Sequence, residues 1–165
     1  MDYFCLYGRR VSSKTFSKAK RFLYQQPEVA HQLLQKITDT TIAYLQGKVE
    51  SGANLIQLFD SWAGILPPPL FRTFAQQIAS AIQAVPVTVF AKGAWFALED
   101  LDSIDCNVIG LDWCTSPAYA RQYVNKVLQG NLDPCQLYGD KDSVCLLYTS
   151  PSPRDLSTSR MPSSA

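Results

Sequence analysis

Four short apolar runs, Leu55 to Phe59, Val85 to Phe90, Val108 to Leu111, and Val127 to Leu128 extending into Gln129, punctuate the chain. Between them apolar residues recur at three- and four-residue spacing: Leu70, Phe74, Ile78 and Ile82; then Phe96, Leu98 and Leu101; then Ala120, Tyr123 and Val124. The first pattern is that of strands and the second that of helices with one buried stripe. None of the four runs alternates strictly between apolar and polar, so they read as parallel strands covered on both faces by helices. Strand and helix in alternation predict βα units. Ser116-Pro117 and Asp133-Pro134 each set a capping side chain before a proline that suits the first helical position.

Two further helices precede the first strand. Ser12 or Ser13 is placed to cap a short basic helix through about Tyr24, with Phe16, Ala19, Phe22 and Leu23 on its apolar side. Pro27 then suits the first turn of a longer helix in which Val29, Leu33, Leu34, Ile37, Tyr44, Leu45 and Val49 form a stripe facing a core, ended by Ser51-Gly52. Every strand ends in polar or small residues: Asp60-Ser61-Trp62, Lys92-Gly93, Asp112-Trp113, and Asn131 to Asp133. In α/β folds chemistry gathers at the carboxyl ends of parallel strands, so these four ends predict one shared rim.

Composition narrows the class. The chain has 165 residues, 47% hydrophobic and 18% charged, enough for one core but short of the ~250 residues of a full (β/α)8 barrel. Residues 145–165 are rich in Ser and Pro and read either as a translated sequencing adapter or as a natural disordered tail; in both cases they stand outside the fold. Without that tail the basic residues fall from 15 to 13 and the acidic ones from 14 to 13, leaving a neutral domain with no general argument for nucleic acid or membrane. No segment approaches the ~20 apolar residues of a membrane span. Cys5, Cys106, Cys114, Cys135 and Cys145 show no CxxC spacing, and His31 is the one histidine, so no metal site is expected. An odd cysteine count fits a reducing, cytoplasmic setting, or a plastid if the source is photosynthetic.

The strings Asn54-Leu55-Ile56-Gln57-Leu58-Phe59-Asp60-Ser61-Trp62-Ala63-Gly64, Gly110-Leu111-Asp112-Trp113 and Gln129-Gly130-Asn131-Leu132-Asp133-Pro134 together resemble uroporphyrinogen decarboxylase, in the right order and with matching separations. The resemblance extends through Phe90-Ala91-Lys92-Gly93 and back to Ser12-Ser13-Lys14-Thr15-Phe16. It implies an α/β fold, a partial (β/α)8 TIM barrel of about four consecutive βα units, with domain boundaries at residues 1–11 (uncertain start), 12–143 (barrel segment) and 144–165 (tail).

The resemblance also implies an activity: cofactor-free removal of carbon dioxide from the four acetate arms of a tetrapyrrole, uroporphyrinogen, in haem synthesis, by an enzyme that is a homodimer at full length. The family's catalytic aspartate belongs to an earlier strand, so no residue here is assigned as catalytic and the isolated chain is expected to be inactive. Carried over as substrate-binding residues are Ser61, whose hydroxyl falls at the family's substrate-contacting Ser/Thr position, Phe59 on the same side of the strand, and Tyr7, which matches with a one-residue offset. The plain reading of Ser61 is a strand-end hydroxyl bonded to its own backbone.

Asp60 points to the other face and suits a pairing with a lysine or a helix terminus; Asp112 and Asp133 suit strand-end hydrogen bonding and capping. Arg9, Arg10, Lys14, Lys18, Lys20 and Arg21 suit a solvated helix face, and His31 a surface position. The alternatives are a corrinoid-linked methyltransferase of the same superfamily and a noncatalytic α/β binding module. Two unpaired strand edges and one uncovered apolar face predict that the chain alone aggregates or dimerises.

Overall fold

The computed structural model describes residues 16–65 and 77–142. Tyr7, Ser12, Ser13, Leu70 and Phe74 lie outside the described residues, as do the segments 1–11 and 144–165. The chain divides after Asn131 into two compact units. In the second, the described part includes a 3-10 helix at Pro134–Tyr138, started by Asp133, whose Oδ1 accepts the Cys135 N–H at 2.9 Å. The capping role read from Asp133-Pro134 is the one observed.

The first unit opens with helix α1 (Ser17–Gln25), which buries Ala19 and Leu23 as the apolar stripe predicts. It begins later than a cap at Ser12 or Ser13 would place it. Phe16 is its N-cap residue, in the left-handed region at φ 53, with no side-chain cap. The Phe16 ring is buried against the indole of Trp62, centroids 4.6 Å apart, and this packing holds the conformation in place of a capping hydroxyl.

Helix α2 (Pro27–Glu50) has Pro27 in its first turn and ends at Ser51 and Gly52, where φ reaches 100 and glycine carries no Cβ penalty. Its buried line is Ala30, Leu34, Thr38 and Leu45. The expected stripe is corrected in part: Val29, Leu33 and Tyr44 are exposed, while Leu34 and Leu45 are buried and Ile37 and Val49 pack against the core edges. Thr38 takes a place in the line that a purely apolar count gives to its neighbours, because a threonine methyl packs on a core as well as a small aliphatic does.

Strands β1 (Ile56–Asp60), β2 (Val87–Ala91), β3 (Val108–Gly110) and β4 (Val127–Gln129) form one sheet in the order β1-β2-β3-β4, every neighbouring pair parallel. Helical segments connect them: residues 77–81 before β2, a 3-10 turn at Trp95–Ala97 running into α3 (Leu98–Ser103) before β3, and α4 (Pro117–Ala120) before β4. Pro117 occupies the first turn of α4 as expected, but the Ser116 side chain makes no capping bond; its carbonyl accepts the Ala120 N–H at 2.9 Å instead.

Each strand lies beside its predecessor, with no reversal of order, and the core sits on one face of the sheet. Ile56, Leu58, Val87, Val89, Ala91, Ile109 and Leu128 point there, against Leu45 and Val49 of α2, Ile78, Ala79 and Ile82, Leu98 and Leu101 of α3, and Ala120 and Val124. The other residues of the register, Gln57, Phe59, Thr88, Phe90, Val108, Val127 and Gln129, share the opposite face. On that second face Phe59, on the outer strand β1, is 62% exposed, while Thr88 of β2 is buried.

The sheet is also curled toward that face. Strands β1 and β4 stand three inter-strand spacings apart, roughly 14 Å in a flat sheet, yet the Gln57 Nε2 donates to Gln129 Oε1 at 3.5 Å. Two glutamine side chains do not bridge a flat sheet at that width. Sequential parallel strands, helices on the convex side and a concave inner face make a segment of barrel wall, as the α/β reading predicts.

Candidate functional site

The four strand ends of the first unit are tied together by backbone before any side chain is considered. Beyond β1 and β2 the ladder continues for one more step, with the Lys92 N–H donating to the Asp60 carbonyl at 2.9 Å. The chain after β1 then turns through a 3-10 helix at Ala63–Ile65, and the Gly64 N–H donates to the Lys92 carbonyl at 3.0 Å. Gly64 and Gly93 approach so closely that a Cβ on Gly64 would stand 2.6 Å from the Gly93 oxygen. Gly93 itself turns at φ 73. These glycines are required by the junction of two strand ends, and a phosphate-binding loop is not needed to account for them.

Asp112 makes the second tie. It is buried at the end of β3, where Oδ2 accepts the Gly93 N–H at 2.5 Å and Oδ1 accepts the Cys114 N–H at 3.0 Å and the Thr115 hydroxyl at 3.1 Å. Asn131, just past β4, donates its Nδ2 to the Asp112 carbonyl at 3.0 Å and to the Thr115 carbonyl. One carboxylate and one amide thus fasten the turns that follow β2, β3 and β4. Asp112 is a hydrogen-bonding residue at a strand end, as its position alone implies, and Asn131 is a partner that strand pattern does not disclose.

On the concave face, Phe59 and Phe90 stand side by side in the register with ring centroids 5.6 Å apart in an edge arrangement. Behind them Gly110 leaves the Phe90 ring room: a Cβ there would lie 3.1 Å from Phe90 Cδ2. Ser61 follows Phe59 by two residues and is half-buried at the mouth of this aromatic floor. Lys92 follows Phe90 by two residues in the same way, and its Nζ lies 4.8 Å from the centroid of the Trp113 ring. Phe59, Ser61 and Lys92 therefore occupy one corner, and Asn131 and Asp112 brace the next. Tyr7 lies outside the described residues.

Asp60 sits in register with Ala91, on the helix-facing side, and its Oδ1 accepts the Trp62 N–H at 3.2 Å. This bond closes the turn after β1. His31 is exposed on α2, as read from the sequence.

A second buried titratable group among the described residues, Cys106, stands away from the rim. Burial pushes the Cys106 thiol above its ordinary value; Lys126 opposes the shift and Asp105 adds to it. Lys126, before β4, gives its Nζ to the carbonyls of Asp102 and Ile104 at the end of α3. Among the described residues no three of His, Cys, Asp and Glu come together in a metal-holding group, and no helix is long and apolar enough to cross a membrane.

Comparison with known proteins agrees with this arrangement. The family profile of uroporphyrinogen decarboxylase (URO-D) matches residues 5–147. The uroporphyrinogen decarboxylase of Christiangramia forsetii is 46% identical over 142 residues, which is 82% of this chain and 41% of the relative. The human uroporphyrinogen decarboxylase is 44% identical over 147 residues, 80% of this chain and 40% of the relative. That of Coxiella burnetii is 41% identical over 152 residues, 85% and 42% respectively. The chain thus spans about two fifths of the length of these curated relatives. With a matching profile over most of its length and a curled parallel sheet whose strand ends carry the matching strings, the chain belongs to the uroporphyrinogen decarboxylase family.

Proposed function

We propose that the chain forms part of the substrate cup of a uroporphyrinogen decarboxylase, a carboxy-lyase that converts uroporphyrinogen to coproporphyrinogen. The observation that carries this reading is an aromatic floor on the concave side of the sheet, exposed Phe59 beside half-buried Phe90, with Ser61 two residues beyond Phe59. A flexible tetrapyrrole has apolar ring faces and a fringe of carboxylates. An apolar floor with hydroxyl and cationic groups at its edge is the complement of that shape.

The chemistry uses the substrate's own pyrrole as the electron sink. A proton added to a ring carbon makes the pyrrole cationic; the bond from the acetate methylene to its carboxylate breaks, its electron pair flows into the ring as carbon dioxide leaves, and the methylene then takes a proton to become methyl while the ring carbon releases its own. In this reading Phe59 lines the apolar side of the cleft and excludes water, which strengthens every charge interaction within it. Ser61 donates its hydroxyl to a substrate carboxylate, and Tyr7 assists in holding the substrate. The proton donor and the charge facing the pyrrole N–H groups come from elsewhere in the barrel. The whole enzyme works without a metal or organic cofactor, as a homodimer in the cytoplasm, within haem synthesis.

A chimera provides the test: residues 16–142 replace the matching segment of the human relative, and decarboxylation of uroporphyrinogen is followed by separating the porphyrins formed after oxidation. The expected result is a folded chimera that yields coproporphyrin. A folded chimera that leaves uroporphyrinogen unchanged contradicts the reading.

A further inference from the structure

We infer that Lys92, braced by Trp113 beside the Ser61 position, is a substrate-binding residue that takes a carboxylate of an anionic tetrapyrrole at the rim of the sheet. The inference rests on the proposed function and adds to it a cationic contact that the carried-over residues do not include.

Placement supports it first. In the described part of the first unit, the residues that directly follow the four strands are Ser61, Lys92, Leu111 and Gly130, so Lys92 is the cation at a strand's carboxyl end. The paired residues Asp60 and Ala91 close the register, and the Lys92 N–H bond to the Asp60 carbonyl carries the ladder one step further. Ser61 and Lys92 are therefore abreast, each two residues beyond a ring of the Phe59–Phe90 floor.

The state of the side chain supports it next. Among the described residues Lys92 makes no ion pair; its ammonium lies 4.8 Å from the Trp113 ring centroid, and Trp113 is 41% exposed. The aromatic face holds the long stem in place and shields one side of the ammonium while leaving donors for a ligand. A lysine already restrained loses less rotamer freedom when an anion arrives.

Three other described cations are committed elsewhere. Lys126 caps α3 with two carbonyl bonds, Arg121 Nη1 donates to the carbonyls of Val124 and Lys126, and Lys48 lies over Tyr44 on α2.

The test is a fluorescence titration of the full 165-residue chain with uroporphyrin, the stable oxidised octacarboxylate, at low salt. Lys92→Met and Lys92→Gln are each expected to weaken binding about tenfold, the loss of one charge-assisted contact, while Lys92→Arg stays within about threefold. The neutral variants are also expected to bind with a shallower dependence on ionic strength. Either neutral variant, folded by near-ultraviolet circular dichroism and binding as tightly as the parent, overturns the role of Lys92. If that occurs while Ser61→Ala still weakens binding, the proposed function stands without it. No saturable binding by the parent chain overturns both.

Discussion

The Asp112 carboxylate accepts the Gly93 N–H at 2.5 Å, and this single bond fixes the turn after β2 to the turn after β3. The same carboxylate also holds the Cys114 N–H and the Thr115 hydroxyl, so its removal orphans three donors at a buried position. Asp112→Ala is expected to cost roughly 3 kcal/mol, read as a lower urea midpoint at unchanged slope. A loss below about 0.5 kcal/mol would show that water satisfies those donors equally well.

The junction between Gly64 and Gly93 has no space for a side chain. Gly64→Ala places a Cβ within 2.6 to 2.9 Å of Gly93 backbone atoms, which are not the flexible end of a side chain and must move as a unit. Destabilisation of about 1–3 kcal/mol is predicted, since overpacking here shifts two strand ends at once. Gly47→Ala is the control: a Cβ there meets nothing within 4 Å, and a helix interior favours alanine. Thermal melts of the two variants should move in opposite directions.

Cys106 and Cys114 differ in environment, and their reactivity should differ in the same sense. Burial raises the Cys106 thiol from its ordinary value, so less thiolate is present at neutral pH, whereas Cys114 is exposed. Iodoacetamide labelling of the native chain at pH 8 is expected to modify Cys114 well before Cys106. The raised value also sets a sign for stability. Its contribution is intact below the unfolded thiol's range near pH 9 and is lost as pH rises through the higher folded value, so alkaline titration should weaken the parent more than Cys106→Ala.

The concave face and the two outer strands set the association state. Phe59 on β1 is 62% exposed and Val127 on β4 is 40% exposed, both on the same face and on the two outer strands of the sheet. Sedimentation at micromolar concentration is expected to show dimers or larger species. Phe59→Lys with Val127→Lys is expected to shift them toward monomer, because inward charges at an edge oppose strand pairing. Monomer in the parent chain would contradict this.

Much of this architecture is legible in the residues. The four apolar runs mark the strands to within two residues, because strands buried on a helix-covered face must be apolar where they pack. Gly52 and Pro27 mark the ends of α2 because backbone geometry demands them there. What pattern cannot reveal is what depends on three-dimensional approach. Thr38 is buried although polar, Phe16 is held left-handed by Trp62 without a cap, and the tie from Asn131 to Asp112 spans 19 positions of chain. The corner of Phe59, Ser61 and Lys92 is half legible: strand alternation sets the first two on one side, but only the register between β1 and β2 sets Lys92 beside them.

The central claim is that the concave face carries the wall of a tetrapyrrole cup with Ser61 at its edge. The most direct measurement is kcat/KM for uroporphyrinogen of the chimera bearing residues 16–142, with and without Ser61→Ala. Loss of a hydrogen bond to a charged carboxylate predicts a fall of roughly 10- to 100-fold without loss of stability. An unchanged kcat/KM in a folded, active chimera would contradict the claim.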